Sequence, residues 1–94
     1  MVDVERSRSK FLGSLVGAAL GDAVGASWEG HRMADEHEIR HITRILDTLR
    51  YTDDTHMTIG VAESIVESGG FNGAHMADRF ANNYFQEPWR GYGP

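Results

Sequence analysis

The sequence predicts an all-α fold. Apolar residues recur at intervals of three and four in successive segments, as expected of helices that each bury one face. No segment alternates apolar and polar residues convincingly, which is the pattern of a half-buried strand. Residues typical of helix ends separate the segments, among them Asn72 before the last segment and Pro88 after it. These observations indicate one helical domain with a modest core.

The first helical segment, FLGSLVGAALGDAVGASWEG, carries a glycine at every fourth position. These are Gly13, Gly17, Gly21 and Gly25. On a helix they share one face, where missing side chains let another backbone approach. Glycine costs about 1 kcal/mol per interior helix position relative to alanine, so we expect close packing to offset the loss. Asp22 lies within this apolar stretch and makes a membrane span costly. We therefore expect no membrane contact and an intracellular, cytoplasmic protein.

Two further helices are predicted in the middle of the chain. Residues 30–34 lack periodicity and are expected to form a loop. An acidic start then leads into an amphipathic helix over 35–50. Its apolar face comprises Ile39, Ile42, Ile45, Leu46 and Leu49. The next helix is expected to begin at Thr52 or Asp53 and to end at Gly69 and Gly70. Its predicted buried face comprises Met57, Val61, Ala62 and Ile65.

The last helix is predicted over 73–86, with Asn72 as its N-cap and Pro88 ending it. Its predicted buried side comprises Ala77, Phe80, Ala81 and Tyr84. We interpret the aromatic residues Phe80, Tyr84 and Phe85 as core rather than as a stacking platform.

Charge and composition exclude several function classes. The net charge is -5, and the nine lysines and arginines are scattered, so no basic stripe exists to bind nucleic acid. The chain has no cysteine, which excludes disulfides and thiolate metal sites. Oxygen and imidazole remain as metal ligands. Of the five histidines, His37 and His41 are four positions apart and could form a pair of metal ligands, but we interpret them as part of a solvated helical face.

The stretch YTDDTHMT places Asp53 and Asp54 side by side between Thr52 and Thr55. Like charges this close repel and raise each other's pKa unless a positive charge lies between them. One explanation is that the carboxylates cap a helix and complement its dipole, which is sufficient for one aspartate. The other is a hard divalent cation such as Mg²⁺ or Mn²⁺, which takes oxygen ligands. The spacing alone leaves both open.

Three blocks of the chain together resemble the N-terminal region of the ADP-ribosylglycohydrolase family. They are GSLVGAALGDAVGASWEG, YTDDTHMTIGVAES and DRFANNYFQEPWRGYGP, in the family's order and with its approximate spacing. WEGH and RGYG are most similar to the branch that removes ADP-ribose from serine and degrades poly(ADP-ribose). The resemblance implies that residues 1–94 are an N-terminal fragment of one compact multi-helix domain.

The resemblance also implies roles for particular residues. Family members bind two divalent ions, usually Mg²⁺ and in some branches Mn²⁺, and Thr52, Asp53 and Asp54 match ligands to them. Glu29 matches a catalytic glutamate on a mobile flap, although by type and position alone it reads as a solvated carboxylate at a helix end. The RGYG loop borders the ADP-ribose cleft in the family. Its residues Gly91, Tyr92 and Gly93 are therefore expected to bind substrate, or else to form an ordinary turn beside an exposed ring.

The implied activity is metal-dependent hydrolysis of the bond linking ADP-ribose to a protein side chain or to another ADP-ribose. ADP-ribose or an ADP-ribosylated protein is then the partner. The family's remaining metal ligands belong to a DxDT-type motif that this chain lacks, so we expect an incomplete site, an inactive fragment and exposed apolar surface. The alternatives are cleavage of ADP-ribose from arginine, a non-catalytic crystallin-like relative, and a small helical interaction domain with no enzyme ancestry.

Overall fold

A computed structural model describes residues 2–31, 33–45 and 48–94 of the chain. In these residues every element is helical, which confirms the predicted all-α class. The chain divides into two compact units, Met1–Arg50 and Tyr51–Pro94, each with its own helices.

The first unit contains α1 (Val4–Gly25), a 3-10 turn (Ala26–Trp28) and α2 (Glu36–Ile45). α1 begins where the Asp3 side chain accepts a hydrogen bond from the backbone N–H of Arg6, at 3.0 Å. The indole of Trp28 donates to a carboxylate oxygen of Glu38 at 3.2 Å and so joins the 3-10 turn to α2.

The predicted helix over 35–50 extends too far at its C-terminal end. Residues 48–50 are not helical, so Leu49 lies beyond α2, and Leu46 lies outside the described residues. α2 buries none of its residues. A helix this short depends on tertiary packing, because its own hydrogen bonds barely offset the cost of nucleation. Periodicity alone therefore does not extend it by another turn.

The glycine ladder of α1 makes no close contact with any described residue. A Cβ added at any of the four glycines would meet no atom within 4 Å, and no residue of α1 is buried. The tight packing expected there is therefore not found in the described chain. By length and composition alone, Val4–Trp28 has the character of a membrane span, with a mean hydropathy of 1.2 over an 18-residue window. Core helices of soluble proteins share that character, and the absence of membrane contact stays a prediction.

The second unit packs α3 (Asp53–Ser68) against α4 (Gly73–Gln86). α3 ends at Gly69, whose φ of 72° lies in the left-handed region that glycine tolerates best. α4 begins at Asn72, whose side chain accepts a hydrogen bond from the backbone N–H of His75 at 3.1 Å. It ends at Gln86, two residues before Pro88. These boundaries confirm the prediction for both helices.

The buried face of α3 differs from the predicted one. The buried residues are Thr55, His56, Gly60 and Ser64. Met57 is 37% exposed and Ile65 is 44% exposed, so the prediction was wrong for both. The reason is that Gly60, which has no side chain, lets the ring of Phe80 on α4 lie against the helix backbone. Because this contact sets the rotation of α3, small and polar residues face α4.

The predicted buried side of α4 is also largely wrong. Ala77, Ala81 and Tyr84 are exposed, and Phe85 is 77% exposed, so only Phe80 is half-buried as expected. Asn83 is the buried residue of this helix, and its amide donates to Glu63 of α3 at 3.1 Å. Among the described residues no large apolar side chain is buried. The expected exposure of apolar surface is thereby confirmed.

A chain of polar contacts joins α3 to α4. The hydroxyl of Ser64, which is fully buried, lies 2.8 Å from Nδ1 of His75. Nε2 of the same ring lies 3.2 Å from the carboxylate of Glu67, which is also paired with Arg79. The guanidinium of Arg79 holds the pKa of the Glu67 carboxyl below its usual value. Because the Ser64 side chain is inaccessible to solvent, it cannot attack a substrate. We therefore interpret these contacts as stabilising the packing of α3 on α4 rather than as a nucleophilic triad.

Candidate functional site

Thr52, Asp53 and Asp54, the TDD motif, form the beginning of α3. Thr52 is the N-cap residue with an extended backbone, but its side chain makes no capping hydrogen bond. Asp53 and Asp54 occupy the first turn, where the helix dipole stabilises negative charge. Asp53 is half-buried and Asp54 is exposed. Capping by its hydroxyl therefore does not explain why a threonine stands at position 52.

Three consecutive residues, Arg90, Gly91 and Tyr92, contact residues 51–56 in order. We call these three residues the RGY turn. Arg90 donates from Nη1 to the backbone carbonyl of Tyr51 at 3.1 Å, and its guanidinium lies 3.6 Å above the centre of the Tyr51 ring. The geometry of a cation over an aromatic face adds electrostatic attraction to the hydrogen bond. The first residue of the turn is thereby fixed to the residue that precedes the TDD motif.

Gly91 lies directly against the TDD motif. Its φ is +90°, a conformation that L side chains rarely adopt. A Cβ at this position would lie 3.8 Å from Cβ of Thr52 and 3.9 Å from Oδ1 of Asp53. The turn thus brings backbone, without a side chain, next to a carboxylate oxygen of the motif.

Tyr92 closes the turn on His56. Its hydroxyl lies 2.7 Å from Nδ1 of His56, which is 5% exposed. Burial raises the pKa of the Tyr92 hydroxyl, and the negative charge of Asp53 raises this pKa further. The hydroxyl consequently stays protonated at neutral pH and is able to donate to the ring nitrogen.

Glu87 interacts with both Arg90 and His56. Its Oε2 accepts hydrogen bonds from Nε and Nη2 of Arg90, at 3.1 and 2.6 Å. Its Oε1 lies 4.0 Å from Nε2 of His56. A negative charge on that side of the ring favours a proton on Nε2, which leaves Nδ1 to accept from Tyr92. The charges and hydrogen bonds of the RGY turn are therefore mutually consistent.

Within the second unit, the structure brings several of the predicted site residues together. Gly91 and Tyr92 lie beside the TDD motif, as the resemblance leads one to expect of a common cleft. Gly93 is exposed, and a Cβ there would meet nothing within 4 Å in the described chain. Glu29 belongs to the first unit, where it is exposed and follows the 3-10 turn, with its backbone N–H 3.4 Å from the carbonyl of Ala26.

Sequence reasoning missed three residues of this arrangement: His56, Glu87 and Arg90. His56 stands inside the YTDDTHMT stretch, and Arg90 opens the RGYG loop, so both adjoin motifs that were recognised. Their partners lie 36 and 39 positions away along the chain. No spacing rule for a single helix or turn reaches that far.

The oxygens of the TDD motif are of the kind that hard cations prefer. Carboxylates and a hydroxyl suit Mg²⁺ or Mn²⁺ better than they suit soft metals. Mg²⁺ takes about six oxygens in octahedral order, so the motif suits part of a coordination shell and leaves the remainder to other groups or water. Gly91 places no side chain against Oδ1 of Asp53, which a Cβ at this position would contact at 3.9 Å.

The two helical units and the TDD motif place the chain in a known class. The family model of the ADP-ribosylglycohydrolases matches residues 3–94, and the chain belongs to this family. It is 40% identical over 92 residues to ADP-ribosylhydrolase ARH3 of Xenopus tropicalis, covering 90% of this chain and 26% of that protein.

Other relatives agree with this assignment. The chain is 38% identical over 100 residues to the human protein of the same name, covering 94% of this chain and 28% of the relative. For the Danio rerio protein the identity is 38% over 92 residues, with coverages of 90% and 25%. The chain thus spans about a quarter of the length of the curated relatives it matches. Membership of this family rules out the alternative of an interaction domain with no enzyme ancestry.

Proposed function

We propose that the protein hydrolyses the bond joining ADP-ribose to a protein side chain or to another ADP-ribose, with divalent cations held in part by the TDD motif. The observation that carries the proposal is the RGY turn lying across the TDD motif, in a chain that the family model matches from residue 3 to residue 94. Two stretches that are far apart in the sequence thereby come into contact.

The TDD motif supplies oxygen ligands on one side of the proposed cleft. When bound, Mg²⁺ or Mn²⁺ would polarise a ribose hydroxyl and orient the attacking water. The cations would also neutralise the paired carboxylates, which lets a chain of net charge -5 accept a diphosphate. Gly91 would allow a ligand to approach the backbone closely, because no side chain stands in the way.

Glu29 is the proposed catalytic carboxylate. Cleavage at an anomeric carbon builds positive charge on the ribose and needs a group that manages the proton of the water or of the leaving group. A carboxylate can both stabilise the positive charge and transfer the proton. The support for Glu29 is its match to the family's pattern in WEGH.

The preferred acceptor is proposed to be serine or ADP-ribose itself. WEGH and RGYG, which are most similar to the branch that acts on these linkages, support this choice. Cleavage from arginine is the competing linkage, and peptides carrying ADP-ribose on serine or on arginine distinguish the two directly.

The test uses the full-length protein and two readouts. Mn²⁺ binding is measured by electron paramagnetic resonance, and release of ADP-ribose is measured from a serine-linked peptide, an arginine-linked peptide and poly(ADP-ribose). Asp53→Asn and Asp54→Asn are expected to lose cation binding and hydrolysis together. Glu29→Gln is expected to keep cation binding and to lower kcat by about 100-fold or more.

The matched control is Asp78→Asn, which neutralises an exposed aspartate of α4. It is expected to leave both readouts unchanged. Hydrolysis that continues undiminished in chelator, or after both aspartates of the TDD motif are neutralised, would overturn the proposal.

A further inference from the structure

We propose that His56, Tyr92 and Arg90 are positioning residues that hold the TDD motif in the geometry needed to bind a cation. This inference rests on the proposed function, because it assigns a role around the same site. It concerns residues that contact the motif's backbone and neighbours, and it gives the RGY turn a function in addition to bordering a ligand.

The segment that carries the TDD motif is tied at both ends. At its start, Arg90 donates to the carbonyl of Tyr51 at 3.1 Å. At its end, His56 is bonded to the hydroxyl of Tyr92 at 2.7 Å. The backbone N–H of His56 also donates to the carbonyl of Thr52 at 3.1 Å, so a displacement of His56 is passed directly to the motif.

The bond between His56 and Tyr92 specifies one position for each ring. His56 is buried, and a buried imidazole that loses its partner pays the full cost of desolvation. The Tyr92 ring is held from another side by the ring of Tyr84, with centres 5.1 Å apart at 86°. Both partners are thus fixed by packing as well as by the hydrogen bond.

Arg90 is fixed just as firmly. Its side chain is only 11% exposed, and its guanidinium lies between the rings of Tyr51 and Trp89, at 3.6 and 4.2 Å from their centres. The carboxylate of Glu87 accepts two of its N–H groups. An arginine held in this way is a rigid donor to the Tyr51 carbonyl, a role for which a lysine lacks the planar fork.

Residues that hold metal ligands in position affect the affinity for the metal without contacting the ion themselves. Changing such a group typically costs 10–100-fold in metal affinity. Two contacts support the TDD motif in this way from its two ends. They are the hydrogen bond between His56 and Tyr92 and the contact of Arg90 with Tyr51. We therefore expect their loss to weaken cation binding while the ligands themselves remain present.

The experiment measures Mn²⁺ affinity of the full-length protein by electron paramagnetic resonance, together with amide hydrogen exchange in the metal-free protein. Tyr92→Phe removes one hydroxyl, and His56→Ala removes its partner. His56→Asn keeps a polar group near the position of Nδ1, and Arg90→Lys keeps the charge but not the fork.

Two variants serve as matched controls. Tyr84→Phe removes a hydroxyl from the ring that meets the Tyr92 ring edge to face and leaves the bond to His56 in place. His75→Ala removes the histidine bonded to Ser64, which tests whether loss of any histidine between α3 and α4 has the same effect. Both controls are expected to bind Mn²⁺ as the wild type does.

The expected result is about tenfold weaker Mn²⁺ binding in Tyr92→Phe, His56→Ala and Arg90→Lys, with affinity largely restored in His56→Asn. In the metal-free protein, the backbone amide of His56 is expected to exchange faster in Tyr92→Phe, by about tenfold, while amides in the middle of α4 keep their protection. The second readout distinguishes local loosening of the motif from unfolding of the unit.

Wild-type affinity in Tyr92→Phe, His56→Ala and Arg90→Lys, alongside lost binding in Asp53→Asn, would overturn the positioning role and leave the proposed function intact. Equal weakening in the two control variants would also overturn it, since general destabilisation would then explain the effect. If Asp53→Asn and Asp54→Asn bind Mn²⁺ normally, the metal site itself is wrong and the inference is overturned with it.

Discussion

The ring of Phe80 lies against the backbone of α3 at Gly60. A Cβ on Gly60 would stand 2.8 Å from Cδ1 and 3.0 Å from Cε1 of that ring, and 3.4 Å from the amide nitrogen of Asn83. Cδ1 is attached near the base of the side chain, so the ring has little freedom to swing aside without moving α4. This contact, rather than an apolar stripe, determines how the two helices face each other.

Gly60→Ala is expected to destabilise the second unit. Overfilling a close contact costs about 1–3 kcal/mol, whereas replacing a helix glycine by alanine gains about 1 kcal/mol. The first effect should exceed the second, and urea unfolding followed by circular dichroism should show a lower free energy of unfolding. Gly17→Ala is the matched control, because its Cβ would meet no described atom within 4 Å. Equal stabilisation by both substitutions would contradict the proposed contact.

Ser64 and His75 are expected to stabilise the helix pair as a coupled unit. Removing either partner breaks the 2.8 Å hydrogen bond, and a net contribution of about 1 kcal/mol is typical of such a bond. Ser64→Ala, His75→Ala and the double variant form a cycle whose coupling energy is measured by urea unfolding. His41→Ala, which removes an exposed histidine of α2, is the control. Additive effects of the two substitutions would show that the bond contributes nothing.

The contacts of Glu67 predict a loss of stability in acid. Arg79 and, more weakly, His75 lower the pKa of the Glu67 carboxyl, so the folded state binds its proton less readily than the unfolded state does. The ion pair therefore contributes fully above the ordinary carboxyl pKa of about 4.3 and is lost as the pH falls through the lower folded value. The destabilisation caused by Glu67→Gln should be present at neutral pH and shrink toward zero in strong acid.

The control for this pH dependence is Glu36→Gln. Glu36 pairs with Arg40 at 2.7 Å on the exposed surface of α2, where ion pairs contribute little. Its substitution should change stability only slightly at any pH. An effect of Glu67→Gln that does not vary with pH would show that packing, and not charge, is responsible.

The N-cap residues Asn72 and Thr52 are expected to respond differently to substitution by alanine. Asn72 caps α4 through its side chain, so Asn72→Ala should cost about 1 kcal/mol of stability. Thr52 begins α3 without a side-chain cap, so Thr52→Ala should cost less stability. In the full-length protein, Thr52→Ala should instead weaken Mn²⁺ binding, measured by electron paramagnetic resonance. The reverse pattern, with stability lost and cation affinity kept, would make Thr52 an ordinary cap.

Local chemistry determined most of the element boundaries. The end of α3 at Gly69, the start of α4 at Asn72 and its termination before Pro88 follow from backbone preferences and hydrogen bonds within a few residues. The TDD motif was recognised as the start of a helix for the same reason, because helix starts depend on interactions among neighbouring residues. Sequence reasoning failed at the C-terminal end of α2, because the apolar periodicity continues to Leu49 although residues 48–50 are not helical.

By itself, the sequence determined the all-α class, the ends of α3 and α4, and the residues of the candidate metal motif, because each depends on groups close together in the chain. Only the tertiary structure decided which faces are buried and which side chains support the motif. Gly60 orients α3 toward Phe80, and His56 meets Tyr92 from 36 residues away. Such pairs form when helices pack, and a pattern of period three or four carries no information about the partner on the other side.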